Sequence, residues 1–280
     1  EDPYLGSQIA KARINGFQGK DLSASNTIAA TAKHFAGYGF SESGRDYNTV
    51  DVGTSTLYNI IFPPFMAAVE ADVKTFMNSF NILNGIPATG NSFLQREVLK
   101  GEWDYKGFVV TDWGSMTEMI THGYSKDGES AAESAANAGS DMDMESYLYV
   151  KHLKNLVNEG KVSLDKVDDA VRRILRVKFE LGLFDDPYKY CNEEREKTGV
   201  GSDKNMEIAL GMAEKSIVLL KNNDQLLPLK KNGINIAVIG SLAADKNSPL
   251  GSWRLASKDN TAVSVLEGLK KYKGNKLSYE

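Results

Sequence analysis

Gly107-Phe108-Val109-Val110-Thr111-Asp112-Trp113-Gly114 decides how the chain is read. Phe108-Val109-Val110 is short, apolar and partly β-branched, and a glycine leads into it. That composition predicts a strand buried on both faces, of the kind found inside a parallel sheet. Asp112 stands where the apolar run stops. Open α/β sheets and β/α barrels place their chemistry at the C-terminal ends of parallel strands, because helices cover the rest of the sheet. A second reading is that Asp112 caps the next helix, since Asp is a favoured N-cap and Met116 to Ile120 look helical.

Similar units lie on either side. Thr27-Ile28-Ala29-Ala30-Thr31-Ala32 leads into Lys33-His34-Phe35 as a small-residue strand with Lys33 at its end, and Val73 to Met77 is a second strand. A fourth is expected near Gly139-Ser140-Asp141-Met142-Asp143. The strand ends at Lys33, Met77, Asp112 and Asp141 are separated by 44, 35 and 29 residues. That is repeated βα spacing and predicts a parallel sheet with four polar strand ends at one mouth. Helices are expected over residues 5–18, after Pro63-Pro64, and around Phe93 to Leu99. Another is expected from an N-cap at Ser163 to a stop at Gly182. Gly37 to Asn48 is a long polar loop with three glycines, a length that is uncommon in a loop without a function. Residues 185–204, rich in Asp, Glu, Lys, Asn and Gly, read as a linker. Met206 to Lys221 reads as a helix, and Ile234 to Ile239 as a buried strand opening a second α/β domain.

Composition narrows the function classes. The 280 residues carry a net charge of −4, 41% hydrophobic and 25% charged side chains, which is ordinary for a globular protein with a real core. An acidic balance without runs of like charge argues against a nucleic-acid or anionic-membrane partner. No apolar stretch is long enough to span a bilayer. Cys191 is the single cysteine, so neither an intrachain disulfide nor a cysteine metal cluster is expected. The chain opens on Glu1 and closes on a strand-like run at Glu280, and it is expected to be a piece of a longer protein.

Lys33-His34-Phe35-Ala36-Gly37, Gly44-Arg45-Asp46-Tyr47-Asn48, Met77-Asn78-Ser79-Phe80-Asn81 and Thr111-Asp112-Trp113-Gly114 occur in the order and spacing of glycoside hydrolase family 3. The likeness runs on through Gly182-Leu183-Phe184 and Ser216 to Asn222, and it is nearest to bacterial β-glucosidases of the periplasmic type. The resemblance implies an α/β fold in which residues 1–184 are the C-terminal half of a (β/α)8 TIM-like barrel. It further implies that 185–204 link the domains and that 205–280 begin an α/β sandwich. It implies a retaining, exo-acting β-glucosidase with Asp112 as nucleophile, Lys33 and His34 as donors to sugar hydroxyls, and Met77 lining the sugar pocket. A carboxylate suits the first role because cleavage passes through an oxocarbenium-like state that an adjacent anion stabilises and can trap as an ester.

Lys33 is expected to help keep that anion charged, the alternative being a solvated strand-end lysine. Trp113 offers a flat apolar face to a pyranose ring, or else packs in the core. Arg45 and Asp46 match a charged loop near the pocket, with a surface ion pair as the other reading. Asp141 and Asp143 are read as helix-capping rather than as supports of the site. Phe80 departs from the family pattern: many members have a tyrosine there whose hydroxyl is directed at the nucleophile.

By resemblance no cofactor and no metal are implied, the substrate is a β-glucoside or oligosaccharide, and the location is periplasmic or secreted. A homodimer is compatible with the sequence. The acid/base glutamate is expected outside this fragment. Alternatives are a β-xylosidase of the same family and a sugar-binding protein without turnover. A Schiff-base aldolase using Lys33 is a further one. The β-N-acetylglucosaminidase branch is disfavoured, because residues 36–51 lack the histidine of its Asp-x-His pair.

Overall fold

The structure, a computed structural model, describes residues 2–280. The chain divides into two compact units, one running to Glu196 and the other from Lys197 to Glu280.

The first unit is built on a three-stranded parallel sheet in the order β1 (Thr31–Phe35), β2 (Thr75–Asn78), β3 (Phe108–Val110). Thr31 and Ala32 pair with Thr75 and Phe76, which in turn pair with Phe108 and Val109. Phe35, Phe76 and Val109 are fully buried in one core with Phe62, Leu94 and Leu99. Phe35 stacks edge-on to Phe76 at 5.3 Å between ring centroids, and Phe76 meets Tyr105 in the same way at 4.9 Å.

Helices join the strands. α1 (Pro3–Gln18) starts on an Asp2 cap that accepts from the Tyr4 and Leu5 amides. α2 (Pro63–Glu70) has proline in its first turn, where the missing N–H has no helical partner to lose. The helical segment α3 (Phe93–Glu102) is wound widely, as in the i+5 bond from the Trp103 amide to the Val98 carbonyl. After β3 come α4 (Ser115–Thr121), α5 (Gly128–Ala138), α6 (Leu148–Asn158) and α7 (Leu164–Glu180). Met116, Met119, Ala131, Ala135 and Leu156 form a second core among them.

Two side chains fasten the sheet from below. Gln18, buried at the end of α1, accepts from the Ala30 and Lys74 amides at 3.2 and 3.1 Å and donates to the Asp72 carbonyl at 3.0 Å. Arg173 of α7 donates to the Tyr105 and Gly107 carbonyls at 2.7 and 2.9 Å, which pins the turn ahead of β3. Gly107 is required there by close approach. A Cβ on it would lie 2.3 Å from the Lys74 carbonyl oxygen.

Several expectations change. β1 starts at Thr31, not Thr27, because the Thr27 hydroxyl donates to the Leu22 and Ala24 carbonyls and the Ile28 amide to Phe17, which commits these residues to the turn after α1. Lys33 therefore lies within the strand. The expected fourth strand is a single parallel bridge, Val110 to Met142, because the chain then turns so that the Asp143 carboxylate can accept from the Leu148 and Tyr149 amides of α6. Asp143 does cap a helix, but Asp141 does not: it is buried against Lys100.

The second unit holds α8 (Asp203–Ser216), β4 (Asn232–Val238), α9 (Val265–Lys270) and β5 (Gly274–Tyr279), with β4 and β5 parallel. α8 ends five residues before Lys221, because β-branched Ile217 takes an extended conformation. β4 is half-exposed rather than buried, since β5 is its one strand neighbour among the described residues.

Candidate active site

Asp112 emerges two residues beyond the last residue of β3 and is 8% exposed. Its Oδ1 accepts from the Trp113 amide at 2.7 Å. Its Oδ2 is buried without an aligned donor among the described residues. His34 Nε2, from β1 on the far side of β2, lies 3.3 Å from that oxygen. Asp112 does not cap α4. Gly114 holds the N-cap position at φ 65°, a left-handed conformation in which glycine lacks the Cβ penalty.

The sheet thus brings together two residues 78 positions apart in the chain. Burial lowers the His34 pKa most, and the neighbouring Lys33 ammonium lowers it further, against opposing pulls from Asp112 and Asp46. A neutral imidazole follows at neutral pH, and the tautomer with hydrogen on Nε2 makes the favourable contact with the carboxylate.

The other expected residues take different positions, and Asp112, Met77, Trp113 and Arg45 do not line the cavity that Lys33 and His34 border. Lys33 and His34 border a cavity of about 600 Å³ together with Tyr38 and Asp46. Met77 is half-buried in β2, paired in register with Val110. Trp113 is 64% exposed beside Asp112, a free indole face rather than a core side chain. Arg45 is exposed in the glycine-containing loop.

Tyr38 and Tyr47 of that loop escaped the reading of the sequence. The Tyr38 ring stands edge-on to His34 at 5.4 Å. Its hydroxyl is pushed up by burial and then by the facing Asp46 carboxylate. Tyr47 stacks on Phe80 at 4.6 Å. Burial, followed by the fields of Glu118, Asp46 and Asp112, raises its phenol. Two phenols therefore surround the apolar Phe80 ring. The available signal was two tyrosines in a loop too long to be idle.

The arrangement offers a buried carboxylate with an uncommitted oxygen, a neutral imidazole donor and an exposed indole. No group of three or more His, Cys, Asp or Glu among the described residues is placed to hold a metal. The model of the Glycosyl hydrolase family 3 N terminal domain matches residues 1–177, and that of the C-terminal domain matches residues 217–278. The chain belongs to glycosyl hydrolase family 3.

Within the family, it is 40% identical over 278 residues to a periplasmic beta-glucosidase of Salmonella typhimurium, covering 98% of this chain and 36% of that protein. It is 35% identical over 297 residues to a beta-xylosidase of Formosa agariphila, covering 100% of this chain and 41% of the relative. A crystal structure of beta-glucosidase from Listeria innocua with glucose superposes at a TM-score of 0.91 and 37% identity, covering 100% of this chain and 39% of that one. The chain therefore spans well under half the length of these relatives. The α/β fold is that of family 3 β-glucosidase structures.

Proposed function

We propose that the protein carrying this chain is a retaining, exo-acting β-glucosidase that removes terminal non-reducing β-D-glucosyl residues through a glycosyl ester on Asp112. The observation that carries this reading is the buried, uncommitted Oδ2 of Asp112 at the C-terminal edge of a parallel sheet. In the first step Oδ2 bonds to the anomeric carbon as the bond to the leaving oxygen breaks, and an acid from outside this chain protonates that oxygen. Water then displaces the carboxylate and releases glucose. His34 and Lys33 donate to sugar hydroxyls, Met77 lines the sugar pocket of the whole protein, and exposed Trp113 offers a ring face to the pyranose.

In this proposal residues 1–184 form the C-terminal part of a (β/α)8 barrel, 185–204 the linker and 205–280 the start of a sandwich domain. The periplasmic relative supports a periplasmic or secreted location. No cofactor enters the reaction.

The β-xylosidase reading is kept because a relative of nearly equal coverage bears that name. Comparing kcat/KM for aryl β-glucosides and β-xylosides separates the two. A 2-fluoro-β-glucoside with a good leaving group should label the peptide holding Asp112. Asp112→Asn should lower kcat by roughly 10⁴-fold or more, the scale of loss when a covalent catalyst is removed. Label on Asp46, Glu42 or Asp141 would overturn the assignment, and glucose binding without turnover would favour the sugar-binding alternative.

A further inference from the structure

Beneath Asp112 lies a buried charge pair that the proposed chemistry does not use. The side chains of Lys100 and Asp141 are 7% and 2% exposed and meet at 2.6 Å. Lys100 Nζ also donates to the Gly139 carbonyl at 2.8 Å, and Asp141 Oδ2 accepts from the Val109 amide at 2.8 Å. Burial pulls the Lys100 ammonium down, and Asp141 opposes that pull.

A buried ion pair is weak evidence of stabilisation in itself, because apolar residues of similar volume often serve as well or better. Its consequence here is directional. The Asp141 and Met142 amides donate to the Val109 carbonyl at 2.8 and 3.1 Å, and the Thr111 amide donates to Met142 at 2.9 Å. The Met144 amide donates to Thr111 Oγ1 at 2.8 Å. The Gly114 amide donates to Met144 at 2.9 Å. The backbone on both sides of Asp112 is therefore tied to residues 139–144, and that segment is fastened at its start by Lys100 and Asp141. Regular strand pairing supplies one bridge there, so the clamp does what a longer ladder would otherwise do.

We propose that Lys100 and Asp141 are positioning residues that hold the 139–144 segment against β3 and so fix the aim of Asp112 at the anomeric carbon. The proposal rests on Asp112 being the nucleophile. Its readout is kcat per competent site, counted from the burst of dinitrophenolate released by 2,4-dinitrophenyl 2-fluoro-β-glucoside in the full-length protein.

Lys100→Met strands the Asp141 carboxylate. It should lower kcat per competent site about 100-fold, the scale of a misplacement near 1 Å, with KM within about 3-fold of the parent. Adding Asp141→Asn removes the stranded charge and keeps an oxygen for the Val109 amide, but the ties from Lys100 to Asp141 and to the Gly139 carbonyl stay broken, so kcat per competent site should recover only in part, to about 10-fold below the parent. Thr111→Val removes one rung without touching the charges. It should cost about 10-fold in kcat per site with little change in melting temperature. If Lys100→Met is insoluble, the double variant and Thr111→Val decide. Unchanged kcat per competent site in the soluble variants would reduce the pair to a purely structural feature and overturn the proposal. Failure of the nucleophile reading is separately visible, as labelling of the unaltered protein at a residue other than Asp112.

Discussion

Gln18→Met tests how the sheet is held in register. Methionine keeps the length, shape and helix propensity of the side chain at the end of α1 but removes all three of its hydrogen bonds. Two of these serve the amides of Ala30 and Lys74, which lead into β1 and β2, and the third serves the Asp72 carbonyl. Asp72 is exposed and its carbonyl can turn to water. The two amides are the groups at risk, because Ala30 is buried and Lys74 is partly so. An unsatisfied buried donor costs about 1–3 kcal/mol, so two give a range of roughly 2–6 kcal/mol. Partial access to water at Lys74 puts the expected loss near 3–4 kcal/mol on the same scale. Urea denaturation followed by tryptophan fluorescence measures it, with the m-value held constant as the check that the unfolded state is unchanged. A loss below about 1 kcal/mol would mean that water or backbone adjustment satisfies both amides, and the idea of Gln18 as the tie between β1 and β2 would fail.

Gly107→Ala drives a Cβ into the Lys74 carbonyl and should cost about 1–3 kcal/mol or more in the same denaturation assay; a neutral result would mean that the turn ahead of β3 is free to shift. His34 has its folded pKa below its ordinary 6.5, so the unfolded chain binds the proton more readily and stability should fall as pH drops from 6.5 toward the lowered value. His34→Gln should flatten that slope in a pH series of denaturation curves, and an unchanged slope would remove His34 as its source.

Much of the fold was legible because the signals were local. The apolar run at Val109-Val110, the prolines at 63 and 64 and the Ser163-to-Gly182 frame of α7 each carry their own punctuation. The misreadings share a cause in side-chain hydrogen bonds that no periodicity displays. The Thr27 hydroxyl claims residues expected in β1, and Asp143 reaches forward to α6 where a strand was expected. Asp141 looked like a cap because an acidic residue after Gly-Ser fits one, but its partner Lys100 is 41 positions away. The site divided along the same line. The place of Asp112 just past a strand end could be read from the apolar run before it, whereas the approach of Tyr38 and Tyr47 depends on how a loop without periodic pattern folds back over Phe80.

Lys33 was expected to supply a positive field for the nucleophile, and the geometry gives its charge a second use. A protonated His34 would place a full cation 3.3 Å from Asp112 Oδ2 and tie up the oxygen that attacks carbon in the proposed reaction. Lys33, adjacent in the chain and sharing the cavity rim, works with burial to keep that proton off. The neutral ring can still donate one hydrogen bond, to the carboxylate before substrate arrives or to a sugar hydroxyl afterwards, without cancelling the negative charge. Asp46 pulls the other way on His34 and also faces the Tyr38 hydroxyl. The Lys-His pair is therefore better understood as a unit: burial first and the lysine second keep the histidine neutral, and a neutral histidine leaves the Asp112 carboxylate its charge for the proposed reaction.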